Sequence, residues 1–107
     1  MGKFNFITTA MDGLLIIEPT LFGDDRGYFM ESYNLQDFQA AGLDVAFVQD
    51  NESRSRKGVL RGLHFQINYP QGKLIRVTKG SVFDVSVDVR LSSSTFGQWL
   101  GIVLSEE

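Results

Sequence analysis

The stretch GSVFDVSVDVR, residues 80–90, carries the clearest structural signal in this sequence. Its apolar and polar side chains alternate, with Phe83, Val85, Val87 and Val89 set against Asp84, Ser86 and Asp88. A period of two is the spacing of a β-strand whose two faces differ in polarity. The stretch therefore predicts a strand over residues 81–90.

Shorter versions of this pattern recur along the chain, separated by glycine-rich corners. Seven more strands are predicted, at residues 4–10, 14–17, 28–32, 47–51, 59–66, 73–78 and 99–104. Asp12 and Gly13 form a turn signal that joins the first two strands as a hairpin. One short helix is predicted, with Asn34 as its N-cap and Gly42 as its stop. Many short strands with regular turns indicate an all-β, antiparallel sandwich or barrel.

Length and composition narrow the class of protein. The 107 residues suit one small domain, which we predict to span residues 1–107. The absence of cysteine excludes disulfides, zinc–thiolate sites and thiol nucleophiles from these residues. No run approaches the ~18 apolar residues of a membrane helix, and the N-terminus lacks the apolar core of a secretion signal. We therefore expect a cytoplasmic protein that does not bind membranes.

Charge is distributed unevenly along the chain. Residues 53–83 hold seven of the ten basic residues and no acidic one, whereas all thirteen acidic residues lie elsewhere. The basic segment is either a solvated face or a site for an anionic ligand. The net charge of −3 argues against nucleic acid, whose binding domains are usually basic as a whole. A small phosphorylated metabolite is the better candidate ligand.

The only histidine in the chain, His64, lies within this basic segment. A lone histidine in a strand is most often a packed residue, yet the imidazole is also the common general base near neutral pH. Arg61 and His64 are three residues apart, so a regular strand would place them on opposite faces. A bulge at Gly62 would bring them to one face, or Gly62 only permits close backbone packing.

A second cluster comprises Arg26, Phe29 and Glu31. This cluster is either an ordinary strand with one buried face or a nucleobase site with an aromatic ring for stacking. A metal site is not expected, because catalytic zinc commonly needs several histidines and only one is present.

Five motifs taken in order resemble the family of dTDP-4-dehydrorhamnose 3,5-epimerases. They are FGDDRGYFMESYN (22–34), FVQDNESRSRKGVLRGLHFQ (47–66), QGKLIRV (71–77), GSVFDVSVDVR (80–90) and SSTFGQWLG (93–101). The resemblance implies a cupin-like jelly roll. It also implies inversion of C3 and C5 of dTDP-4-dehydro-6-deoxy-glucose, in the pathway to dTDP-L-rhamnose, without a metal or organic cofactor.

The resemblance assigns roles to particular residues. His64 would be the catalytic base, and Lys73 would stabilise the oxyanion that forms at the C4 ketone. Arg61 would hold the sugar nucleotide near its diphosphate. The remaining residues implied to bind the substrate are Arg26, Phe29, Glu31, Gln49, Asp50 and Asn51.

The sequence departs from the family at its C-terminal end. Family members continue beyond residue 107, into a part that supplies a tyrosine acid, an aspartate partner for the base and another histidine. We therefore expect an incomplete jelly roll, weak or absent activity in the 107-residue chain alone, and a homodimer. Two alternatives stay open: a non-catalytic sugar-nucleotide-binding module, and a related single-carbon epimerase or ketoisomerase.

Overall fold

A computed structural model describes residues 3–68 and 71–106 of the chain. In these residues it contains six β-strands and one short helix. The strands are β1 (Phe4–Thr8), β2 (Leu15–Pro19), β3 (Phe22–Asp24), β4 (Gly27–Phe29), β5 (Ser81–Val87) and β6 (Trp99–Ser105), and the helix is α1 (Leu35–Ala40). The strands pair as three antiparallel two-stranded sheets. The helix is too short and too polar to cross a lipid bilayer.

The first hairpin, β1–β2, forms where the sequence predicts it. Phe4 lies opposite Pro19 and Thr8 opposite Leu15. The connecting turn needs a residue with positive φ, and Gly13 supplies it at +88°. The Thr9 hydroxyl donates to the carbonyl of Leu14 at 2.8 Å, which ties the two ends of the turn together. Proline ends β2, as expected for a residue that cannot donate to a ladder.

The hairpin β5–β6 has two unlike faces. Phe83 pairs with Val103 and Val87 with Trp99 on one face, where Phe83, Val103 and Trp99 remain largely exposed. The other face carries Asp84 and Ser86, which line a mainly apolar cavity of about 180 Å³ together with Ser32 and Arg76. The predicted alternation is confirmed, but the polar side chains belong to the face that lines the cavity.

A polar network closes the loop between β5 and β6. Asp88, whose side chain is 1% exposed, accepts hydrogen bonds from the Arg90 guanidinium through Nε and Nη2, both at 3.0 Å. The hydroxyls of Ser93 and Thr95 also donate to the Asp88 carboxylate. Arg90 donates in addition to the carbonyl of Asp12, at 3.0 Å, in the turn of the first hairpin. The network therefore fixes the loop and links the two hairpins.

The chain divides into two compact units, one made of residues 3–34 and 74–106 and the other of Leu35–Lys73. The second unit contains α1, whose Phe38 is 1% exposed. Gly42, at a φ of +93°, ends the helix, and the amide of Leu43 donates to the carbonyl of Phe38 at 2.9 Å. The predicted helix and its stop are confirmed, while the single domain over residues 1–107 stays a prediction.

Several predicted strands are wrong. No strand forms over residues 47–51, 59–66 or 73–78, although all of these are described, and the strand predicted at 28–32 runs instead over Gly27–Phe29. The short strand β3 was not predicted. Apolar alternation marks an extended backbone, but a strand also needs a partner for its N–H and C=O groups. The side chains of Val48 and Leu60, at 94% and 90% exposed, show that these segments lack a packed neighbour within the described residues.

Close packing of an aromatic ring on a glycine occurs on the exposed face of β5–β6. A Cβ atom built on Gly101 would overlap the Phe83 ring. We expect Gly101→Ala to lower the free energy of unfolding by about 1 kcal/mol, because the ring must swing away but is exposed enough to do so. Thermal unfolding of Gly101→Ala alone and in a Phe83→Ala background checks this. An equal loss in both backgrounds would show that the ring is not the cause.

Candidate functional site

The basic segment folds into an open cavity of about 440 Å³ within the second unit. Its lining residues are Arg54, Ser55, Arg56, Val59 and Arg61. The Arg61 guanidinium turns back along the chain, where Nε donates to the Ser55 hydroxyl at 2.6 Å and Nη2 to the Arg54 carbonyl at 3.3 Å. Three arginines line this cavity and no acidic residue does, so it suits an anion.

His64 and Lys73 lie in the same unit, outside any strand or helix. Both side chains belong to exposed residues, and neither forms a hydrogen bond or ion pair with the described part of the chain. Gly62, between Arg61 and His64, has a φ of +121°, so the backbone there is irregular rather than a regular strand. A regular strand, which would place Arg61 and His64 on opposite faces, is therefore not formed here.

The predicted substrate-binding run at Gln49, Asp50 and Asn51 is exposed and lies outside any strand or helix. Within it the Gln49 side-chain amide donates to Oδ1 of Asn51 at 3.1 Å. Two neutral amides and one carboxylate side by side can both donate to and accept from a polar ligand.

Arg26 lies in the turn between β3 and β4 in the first unit. Its guanidinium contacts Asp24, with Nη2 at 2.6 Å from Oδ2, and its backbone amide donates to Oδ1 at 2.9 Å. Arg26 therefore holds the pKa of Asp24 below its usual value, mainly through the side-chain hydrogen bond, and its own pKa is raised in return. Both side chains are exposed, so the pair orients Arg26 more than it stabilises the fold.

Phe29 and Glu31 complete the second predicted cluster. The Phe29 side chain, at the end of β4, is 67% exposed, which leaves a ring face open to a flat ligand. The Glu31 carboxylate accepts a hydrogen bond from the Lys3 ammonium at 3.0 Å through Oε1. Its other oxygen is buried and has no hydrogen-bond donor among the described residues.

Two structural features near the candidate site residues were not predicted from the sequence. The role of Ser55 as an acceptor for Arg61 has no sequence signal, because the serine lies six residues away in a loop. The cavity of the first unit, which holds Asp84, Ser86 and Arg76 among apolar residues, was anticipated only as a polar strand face. Alternation along a single strand shows that its two faces differ, but it does not show which other segments pack against either face.

No group of three or more histidine, aspartate or glutamate side chains in the described residues is arranged to hold a metal ion. The expectation of an enzyme without metal or organic cofactor stays a prediction.

Comparison with known sequences gives one consistent family. A sequence profile described as dTDP-4-dehydrorhamnose 3,5-epimerase matches residues 8–107. An epimerase of this name from Methanothermobacter thermautotrophicus is 59% identical over 107 residues, covering 100% of this chain and 58% of the relative. Another from Pseudomonas aeruginosa is 60% identical over 99 residues, covering 92% of this chain and 55% of the relative.

Solved structures agree with the sequence comparisons. The epimerase from Legionella pneumophila, in complex with dTDP-4-keto-L-rhamnose, is 54% identical and superposes with a TM-score of 0.90 over 96% of this chain and 55% of its own. The enzyme from Bacillus anthracis, with TDP and pyrophosphate bound, is 48% identical, with a TM-score of 0.92 over 96% of this chain and 60% of its own. These likenesses confirm the predicted all-β, cupin-like architecture with one short helix. The chain spans somewhat more than half the length of these relatives.

Proposed function

Because the chain belongs to the dTDP-4-dehydrorhamnose 3,5-epimerase family, we propose that the protein inverts C3 and C5 of dTDP-4-dehydro-6-deoxy-glucose. The observation that carries this proposal is the 59% identity to the Methanothermobacter epimerase along all 107 residues. The Legionella relative, whose structure contains a dTDP-4-keto sugar, supports the substrate class. On this proposal the protein is an isomerase acting in dTDP-L-rhamnose biosynthesis.

The proposed chemistry follows from the C4 ketone of the substrate. The ketone makes the protons on C3 and C5 acidic, and removal of either gives an enolate whose negative charge lies largely on the C4 oxygen. His64 accepts the proton, and the Lys73 ammonium stabilises the oxyanion, where electrostatic help lowers the barrier most. A proton delivered to the opposite face of the carbon, by an acid that the resemblance places beyond residue 107, completes the inversion.

The exposed positions of His64 and Lys73 suit these roles, because a base and an oxyanion donor must be reachable by substrate. Residues 53–83 contain no acidic side chain. No carboxylate of that segment therefore repels the negative charge that develops on the enolate.

Nucleotide binding is proposed for the remaining predicted residues. Arg61, with its guanidinium at the basic cavity, would contact the diphosphate. Phe29 would stack on the base, and Glu31 would accept a hydrogen bond from an N–H of thymine, with Arg26 nearby in sequence. Gln49, Asp50 and Asn51 supply further donors and acceptors.

We also propose that the protein is a cytoplasmic homodimer. The exposed apolar side chains of β5–β6, Phe83, Trp99 and Val103, each more than 60% exposed, favour association, because soluble proteins seldom leave such a face in water. We expect sedimentation equilibrium of the protein at its full natural length to give twice the monomer mass. A monomer at micromolar concentration would contradict this expectation.

The test of the proposed activity is proton NMR in D2O with dTDP-4-dehydro-6-deoxy-glucose and the protein at its full natural length. We expect deuterium to enter both C3 and C5 well above the protein-free rate. Exchange at one carbon alone would indicate a single-carbon relative instead. Nucleotide line broadening without exchange would indicate a binding module, and would overturn the proposed activity.

A further inference from the structure

The Arg61 guanidinium is held in one orientation by its own loop. Nε donates to the Ser55 hydroxyl at 2.6 Å, a short distance for an N–H···O bond, and Nη2 donates to the Arg54 carbonyl at 3.3 Å. An arginine side chain has five N–H donors in a planar fork. Two are occupied by these bonds, so three remain for a ligand on the opposite edge.

A fixed orientation of the guanidinium lowers the entropy cost of binding a ligand on an exposed loop. A long, exposed side chain loses much rotational freedom when it binds a ligand, and this cost is smaller when the side chain is already fixed. Ser55 is the only side chain in the described residues that hydrogen-bonds to Arg61. The serine hydroxyl, together with the Arg54 carbonyl, thus limits rotation of the Arg61 guanidinium.

The cavity beside this fork defines the chemistry of its ligand. Arg54, Arg56 and Arg61 all line it, and planar guanidinium groups bind phosphate oxygens through paired hydrogen bonds. Two further arginines near the first suit a ligand with more than one negative charge. A diphosphate meets that requirement better than a monophosphate or a neutral sugar.

We infer that Ser55 is a positioning residue that orients Arg61 toward the diphosphate of the substrate, with Arg54 and Arg56 adding positive charge to the same cavity. This inference rests on the proposed function, in which Arg61 contacts the diphosphate. Ser55 acts through Arg61 and need not touch the ligand itself.

The test measures the affinity of Ser55→Ala for thymidine, dTMP and dTDP by calorimetry, in the protein at its full natural length. We expect the Kd for dTDP to rise about 5- to 20-fold, which is the order of the net contribution of one intramolecular hydrogen bond. The Kd for thymidine should not change, since thymidine carries no phosphate. In turnover, KM should rise while kcat stays within about twofold. Equal weakening of thymidine and dTDP would overturn the inference, because it would indicate general damage to the fold.

Two matched variants sharpen the result. Ser55→Thr retains the hydroxyl and should restore dTDP affinity, whereas Ser94→Ala removes an exposed serine of the other unit and should change nothing. Failure of threonine to restore affinity would contradict a role for the hydroxyl.

A double-mutant cycle with Arg61→Ala separates this inference from the proposed function. If Ser55 acts through Arg61, Ser55→Ala should have no further effect in the Arg61→Ala background. A persisting effect would mean that Ser55 contacts the ligand directly, which overturns the positioning role. If Arg61→Ala itself leaves dTDP affinity intact, the diphosphate role in the proposed function fails. If only Arg61→Ala weakens binding, the role of Ser55 alone fails.

Discussion

Replacing His64 by alanine is expected to lower kcat about 10²- to 10⁴-fold, the usual contribution of a positioned general base. The Kd for dTDP should change less than about threefold, because the proposed nucleotide contacts are made by other residues. The measurement is steady-state turnover of dTDP-4-dehydro-6-deoxy-glucose, with dTDP affinity determined by calorimetry on the same preparations. Deuterium exchange at C3 and C5 should fall in parallel with kcat.

This expectation depends on the surroundings of the His64 side chain in the structure. The residue is exposed, lies outside any strand and has no hydrogen-bond partner among the described residues. A packed histidine with a structural role would be buried and hydrogen-bonded. His64→Ala should therefore leave the melting temperature within about 2 °C of the wild-type value, as for most exposed substitutions.

The chain contains no second histidine to serve as a control. His64→Gln provides one instead, since it keeps a polar side chain of similar length but cannot act as a base. Both variants should lose activity to a similar extent, and added imidazole should restore part of it in the alanine variant. Full activity in either variant would exclude His64 as the base and remove the central residue of the proposed mechanism.

Replacing Asp88 by alanine is expected to lower the melting temperature by roughly 5–15 °C, the largest stability effect we expect in this chain. The substitution leaves the Arg90 guanidinium and the hydroxyls of Ser93 and Thr95 without their shared acceptor. Polar groups that lose a buried partner lose more than the hydrogen bond itself. Differential scanning calorimetry, with circular dichroism to check that the variant folds, measures the effect.

Asp25→Ala is the matched control, because Asp25 is exposed and has no hydrogen-bond or ion-pair partner among the described residues. Its melting temperature should stay within about 2 °C of the wild-type value. A similar fall in both variants would show that the loss reflects net charge rather than the network around Asp88.

The same network predicts a pH dependence. Hydrogen bonds from Arg90, and then from Ser93 and Thr95, hold the pKa of Asp88 far below its usual range. In the unfolded chain an aspartate titrates near pH 4. Because the folded state binds the proton less readily, this contribution to stability is present above about pH 4 and is lost as the pH falls below it. The melting temperature of Asp88→Asn should therefore depend less on pH between 5 and 2 than that of the wild-type protein.

The predictable part of the fold is the part made by neighbours in sequence. The first hairpin follows from Asp12 and Gly13, and the helix follows from Asn34 and Gly42, because turns and caps depend on local backbone conformation. The strand predicted over residues 81–90 forms over Ser81–Val87, since its alternation is unusually regular, but it ends three residues earlier than predicted. In each case the determining residues lie within the element or at its ends.

The predictions that failed concern partners distant in sequence. The segments around Val48 and Leu60 have the composition of strands, yet no strand pairs with them in the described residues. Whether an extended segment becomes a strand depends on a neighbour that its own sequence does not specify. The individual site residues were predicted from the family resemblance. The contacts that orient them, such as the hydrogen bond between Ser55 and Arg61, are visible only in the three-dimensional structure.

The bond from Arg90 to the carbonyl of Asp12 spans 78 positions of the chain, and this span has a consequence for synthesis on the ribosome. The β1–β2 hairpin closes over few residues, so it can form as soon as it emerges. Its link to Arg90 cannot form until residue 90 has left the ribosome, and closing so large a loop costs entropy. The N-terminal hairpin is therefore translated well before the segment that contains Arg90, and its apolar side chains stay uncovered in the interval. Chaperone binding to stalled nascent chains should accordingly be strong at lengths that include β2 and should weaken once residues 81–105 have emerged.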